Sequence, residues 1–145
     1  MRVLYIIRGL PGSGKSSLGE DLINHHWASG GKPGVGIWMR HCYSADDWFT
    51  DKKGNYNFVP EELPQAHEDC QLRVQGAMLD KVERIAVCNT FTQAWEAERY
   101  FELCKIYDYS PFVIQCQNDF GNIHGCSDDK IEEMRERWDE NIWVK

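Results

Sequence analysis

Unbroken apolar runs alternate along this chain with stretches whose apolar residues recur at helical spacing. Val3-Leu4-Tyr5-Ile6-Ile7 is continuous and predicts a strand covered on both faces. Leu18 and Leu22 share a face and predict a helix over 13–28, which the loop Ser29-Gly30-Gly31-Lys32-Pro33-Gly34 ends. A second strand is expected over 37–43 and a polar turn at 51–55. Ala66, Cys70, Val74 and Ala77 predict a helix over 61–79. Residues 84–88 read as a third strand and 111–116 as a fourth. Between them, 92–107 reads as a helix with Ala97, Phe101 and Cys104 inward. Ser127 reads as an N-cap, with Asp128 and Asp129 favoured in the first turn by the helix dipole. Ile131, Met134 and Trp138 then form an apolar stripe expected in the core. Strands alternating with helices predict an α/β domain with a parallel sheet, whose ligands gather at the carboxyl ends of the strands.

Composition narrows the class. The 145 residues suit one domain, 1–145, large enough to bury a core without staples. The longest apolar start stops at Arg8, too short for a leader peptide or a membrane span, so a cytoplasmic protein is expected. The net charge of −7 excludes a chain that coats nucleic acid by charge alone. The asymmetry is informative: residues 1–60 hold 7 basic and 5 acidic groups, and the rest 9 and 18, so a polyanion should meet the N-terminal half. The six cysteines include no close pair, which argues for reduced thiols over a disulfide framework or a zinc site.

The clearest chemistry is Gly9-Leu10-Pro11-Gly12-Ser13-Gly14-Lys15-Ser16, a complete G-x-x-x-x-G-K-[ST] P-loop between a strand and a helix. Its glycines let successive N–H groups point at phosphate oxygens, Lys15 supplies a point charge, and the Ser16 hydroxyl can ligate magnesium. Gly9, Pro11, Gly12, Ser13, Gly14, Lys15, Ser16 and Ser17 are therefore expected to hold ATP with Mg2+. Ser44-Ala45-Asp46-Asp47 follows the second strand. Either carboxylate there could accept a proton from an acceptor hydroxyl or join a magnesium shell, and a plain helix N-terminus would also favour both acids.

Taken in order, several stretches resemble the kinase domains of the polynucleotide 5′-hydroxyl kinase family, a P-loop branch that includes phage ATP-binding proteins. They are Arg8 through Ser16, Ser44-Ala45-Asp46-Asp47-Trp48-Phe49, Gly54-Asn55-Tyr56-Asn57-Phe58, Ala66-His67 with Cys70, Asn89-Thr90-Phe91-Thr92 with Trp95-Glu96, and Asn122-Ile123-His124-Gly125 before Arg137-Trp138. The resemblance implies a three-layer P-loop kinase-type fold with strand order 2-3-1-4. It implies Asp46 and Lys15 as catalytic residues, with Ser16 and Asp47 at the metal. Asp46, Arg40, His67, Asn89 and Thr90 fall on the acceptor side, and Asn122 and His124 over the nucleotide. The implied reaction moves the γ-phosphate of ATP to a nucleic-acid 5′ end or a small hydroxyl acceptor. A nucleotide-binding module acting through a protein partner, and a small-molecule or nucleotide kinase, stay open as alternatives. A phage-encoded protein in a host cytoplasm fits the same resemblance.

The chain also departs from the family pattern. Cys88 stands where the family has an aspartate before the Asn-Thr pair, and its position next to Asn89, at the carboxyl end of the third strand, argues that it borders the crevice. Phe49 stands where an arginine follows the catalytic aspartate, and the lid segment Asn118-Asp119-Phe120-Gly121 has no arginine.

Overall fold

A computed structural model describes residues 1–28, 41–121 and 125–143. The apolar run near the N-terminus becomes β1 (Val3–Arg8), an inner strand with a neighbour on each side. Its alternation divides two cores. Leu4 and Ile6 face one layer of helices, while Tyr5 and Ile7 face the other. The remaining elements are α1 (Lys15–Ala28), β2 (Cys42–Tyr43), α2 (Leu63–Leu79), β3 (Arg84–Asn89), α3 (Ala94–Tyr107), β4 (Ser110–Gln115) and α4 (Asp128–Glu136). Two 3-10 turns, Ala45–Phe49 and Pro60–Glu62, link β2 to α2.

The four strands lie in the order β2-β3-β1-β4, as expected, and every pairing is parallel. Val3 aligns with Arg84 and Ser110, so Arg8, Asn89 and Gln115 end level at the carboxyl edge of the sheet. Helix α1 covers one face over Ile7, Ala86 and Cys88. The other face is the larger core, where Cys70, Val74 and Met78 of α2 meet Ala97, Tyr100 and Cys104 of α3 over Leu4, Ile6, Ile85 and Val87. A third cluster of Ala45, Phe49 and Ala66 seats the first 3-10 turn on α2.

Several expected elements shift by a residue or two. Helix α1 begins at Lys15, not 13, because Gly12 and Gly14 take left-handed backbone angles (φ 81° and 90°). Helix α2 begins at Leu63, since Pro60–Glu62 forms its own 3-10 turn. Helix α3 begins at Ala94, because Gln93 and Glu96 close a capping box there. The described part of the second strand is Cys42–Tyr43; 37–40 and the loop 29–34 lie outside the described residues. Ser127 caps α4, its hydroxyl accepting from the Lys130 N–H at 3.3 Å. The stripe on that helix is a correction: Ile131 and Met134 are half-buried at the rim, and Trp138 lies beyond the helix end.

Candidate active site

Strand β1 ends at Arg8, and the chain wraps through Gly9 to Gly14 before α1 begins. The Gly9 N–H donates to the Thr90 carbonyl at 3.3 Å. A Cβ at Gly9 would collide with Ser13 Oγ and lie 2.8 Å from the Cys116 carbonyl oxygen, so only glycine fits. The loop is tied across its own width, with Ser13 N–H on the Leu10 carbonyl (3.1 Å) and Phe120 N–H on the Gly12 carbonyl (2.7 Å). Ser13 Oγ is buried and has no hydrogen-bond partner among the described residues. A buried hydroxyl left open inside a ring of glycines is what an anion-binding loop requires. Lys15 Nζ folds back onto the Leu10 carbonyl at 3.0 Å, and Ser16 and Ser17 lie exposed on the first turn of α1. Burial lowers the Lys15 pKa, and the charge of Asp46 opposes that shift. These features fit a polyphosphate.

Across the sheet edge, the turn Ala45–Phe49 is fixed from four directions. Ser44 Oγ accepts from Asp46 N–H (3.1 Å), and Asp47 Oδ2 accepts from Ser44 N–H (3.0 Å), completing a capping box. Asn89 Oδ1, at the end of β3, accepts from Ala45 N–H at 2.9 Å. Arg73 on α2 donates to Asp47 Oδ2 (3.0 Å), to Asp69 Oδ2 (2.8 Å) and to the Ser44 carbonyl (3.1 Å). Burial pulls the Arg73 pKa down, but the Asp47 bond and charge more than offset it. Asp47, expected at the metal, is thus engaged as a cap and an ion-pair partner. Asn89, expected at the acceptor, is buried with its amide on the turn and on Cys70 Sγ (3.8 Å). Thr90 reaches the cradle through its carbonyl.

Asp46 is different. Its Oδ1 accepts from the Tyr56 hydroxyl at 3.2 Å, and its charge acts on both Lys15 and His67. His67 is half-buried on α2, its pKa lowered by burial against the opposing charges of Glu96 and Asp46. Asp46 therefore lies within electrostatic reach of both Lys15 and His67. Arg40, Asn122 and His124 lie outside the described residues.

Two residues that sequence reasoning passed over hold Asp46 in place. Tyr56 sits in the Gly54 to Phe58 stretch, across the isolated bridge between Thr50 and Tyr56. Arg73 carried one local signal, its spacing of four from Asp69 on a helix. Cys88 calls for a correction. Its place at the carboxyl end of β3 suggested that it borders the crevice, yet it is buried beneath α1. Its Sγ lies 3.7 Å from Cys42 Sγ and 3.5 Å from the Lys15 carbonyl, and Gly19 leaves the room both thiols occupy. The bond with Cys42 and burial both push its pKa up, so it is a neutral wall.

Among the described residues, no group of three or more His, Cys, Asp or Glu side chains gathers as a metal site, and no helix is long and apolar enough to cross a membrane. No family model matches the chain. Human NEDD4-binding protein 2 is 33% identical over 151 aligned positions, covering 98% of this chain, which spans only 8% of that protein's length. A Chloroflexus aurantiacus protein assigned as a kinase matches with a TM-score of 0.51 at 18% identity, over 79% of this chain and 59% of that one. The Mycobacterium tuberculosis APS kinase CysC, solved with AMPPNP and APS, matches with a TM-score of 0.52 at 13% identity, over 80% and 62%. Strand order, glycine cradle and these likenesses together give the chain the fold of the P-loop kinases.

Proposed function

We propose that this chain is an ATP- and magnesium-dependent phosphotransferase that moves the γ-phosphate to a hydroxyl, with a polynucleotide 5′-OH as the favoured acceptor. The observation that carries the reading is the glycine cradle, with its unpartnered Ser13 hydroxyl and Lys15, at the sheet edge where Asp46, held by Tyr56, lies within electrostatic reach of that lysine. The backbone N–H groups of 12–16 and Lys15 would hold the polyphosphate, and Ser16 Oγ would join the magnesium shell. Bound ATP supplies an activated phosphoryl group. Asp46 accepts the proton of the attacking hydroxyl, and Lys15 balances charge on the transferring group. His67, its pKa held below 6.5 by burial, would hydrogen-bond the acceptor as a neutral imidazole. The nucleotide in the APS kinase structure supports an adenine nucleotide as donor. The acceptor class rests on the ordered resemblance to polynucleotide 5′-hydroxyl kinases, which also suggests a phage setting.

A second reading, a nucleotide-binding module without turnover, is favoured by one observation: Cys88 places a buried neutral thiol under the cradle where the family has a carboxylate. One assay separates the readings. Terminally labelled ATP and magnesium are incubated with 5′-hydroxyl DNA and RNA oligonucleotides, with nucleosides, and with no acceptor. Label on the oligonucleotide 5′ end is expected. Label only on nucleosides would move the assignment to a nucleotide kinase, and no transfer despite ATP binding would establish the binding module.

A further inference from the structure

Arg8 immediately precedes the cradle, where an arginine invites assignment to the phosphates. Its side chain turns the other way. Arg8 is 1% exposed. Its Nε and Nη2 both donate to the Phe91 carbonyl, at 3.1 and 2.8 Å. Nη2 also reaches the Thr92 carbonyl at 3.4 Å, and Nη1 the Glu140 carbonyl at 3.5 Å. The guanidinium carbon lies over the Trp138 ring, 4.0 Å from its centroid. Burial lowers the pKa of Arg8, and Asp139, Glu140 and Glu96 oppose that shift.

The segment 137–143 is fastened at the same place. Asp139 N–H donates to the Thr92 carbonyl (2.6 Å), and Asp139 Oδ2 accepts from Ala94 N–H (2.9 Å) at the start of α3. Arg137 Nε donates to Thr92 Oγ1 at 3.1 Å. Ile142 is buried in the main core, and Trp143 packs on Phe101 with ring centroids 5.3 Å apart. Phe91 is held at φ +46°, a conformation a bulky side chain adopts only when its surroundings impose it. The two Arg8 bonds to its carbonyl supply that imposition. Immediately after β1, Gly9 N–H donates to the carbonyl of Thr90, the residue before Phe91.

We propose that Arg8 is a positioning residue that makes the C-terminal segment 137–143 a working part of the nucleotide site. Trp138 and the Glu140 carbonyl hold the guanidinium, the guanidinium holds the 91–92 loop, and that loop holds the first residue of the cradle. By linkage, nucleotide in the cradle must tighten the segment, and loosening the segment must weaken the nucleotide. This rests on the phosphate-binding reading above.

The test uses the full chain and a non-hydrolysable ATP analogue with magnesium. Affinity is measured by calorimetry well below the melting temperature for wild type, Arg8→Lys, Trp138→Leu, Trp138→Phe and Leu103→Ala. Leu103, fully buried on α3 in the main core, gives a reference for simple destabilisation. Trp138→Leu and Arg8→Lys should weaken binding about tenfold, in the usual range of site-to-site coupling. Trp138→Phe, which keeps an aromatic face, should restore most of it, and Leu103→Ala should leave it within about twofold. Hydrogen exchange at the Asp139 amide should slow when wild type binds the analogue. If Arg8→Lys and Trp138→Leu lose melting temperature like Leu103→Ala but bind the analogue as wild type does, the clamp is only structural and the proposal fails. Wild type that binds no analogue would overturn the phosphate-binding reading itself, and the coupling with it.

Discussion

Tyr56 and His67 are the side chains through which Asp46 can be probed without touching it. The Tyr56 hydroxyl donates to Asp46 Oδ1, and Asp46 and burial together hold the phenol protonated. Tyr56→Phe removes that donor and keeps the ring that packs on Phe49. A single positioning bond of about 1 kcal/mol predicts a fall in kcat of about five- to tenfold, with ATP affinity unchanged in steady-state assays. His67 gives a stability signal with a definite sign. Its folded-state pKa lies below the ordinary 6.5, so between that lower value and 6.5 the unfolded chain binds more protons than the folded one. Stability therefore falls as pH drops from about 7.5 through this window. Melting curves at pH 7.5 and 5.5 should show a smaller pH effect for His67→Gln than for wild type. Some effect will remain, because His41 is shifted in the same direction by burial.

At the scale of elements, the 3-10 turn that carries Asp46 is held by its own cap and by side chains from two other elements. Ser44 caps it, Asn89 reaches it from β3, and Arg73 reaches it from α2. Ser44→Ala should cost about 1 kcal/mol of stability, read from urea midpoints, and should lower transfer activity more than ATP binding. The pair beneath α1 behaves oppositely. Cys88→Asp would set a carboxylate against the acceptor-only Lys15 carbonyl and the weak thiol donor of Cys42, too little to satisfy a buried charge, so about 3 kcal/mol or more of stability should be lost. A stable Cys88→Asp with higher turnover would show that this wall opens to the crevice. These contacts also explain what the sequence made legible. The P-loop, the strand order and the inward face of α2 follow from spacing and from a local motif. Asp46 and Asp47 are adjacent acids, and what separates candidate base from cap is which partners reach them: Tyr56 donates to Asp46, while Ser44 N–H and Arg73, 26 residues further on, engage Asp47. The Cys88 position looked open because a strand end usually is. Gly19, which lets α1 press onto the thiols, is silent in a sequence read alone.

For the whole molecule, the sheet brings the cradle, the acidic turn and the 91–92 loop to one edge, because Arg8, Asn89 and Gln115 end level there. The stripe at Ile131, Met134 and Trp138 looked like ordinary core, but Trp138 instead faces the buried Arg8. That pairing spans 130 positions, and no periodicity could reveal it. The central claim is that the crevice between Lys15 and Asp46 transfers phosphoryl groups, with Asp46 as the base. Its most direct test compares wild type with Asp46→Asn, which keeps the shape and removes the proton acceptor. Turnover of labelled ATP onto a 5′-hydroxyl oligonucleotide is measured beside ATP affinity. The account predicts a loss in kcat of about a hundredfold or more with ATP affinity within about threefold. Equal turnover in Asp46→Asn would contradict it.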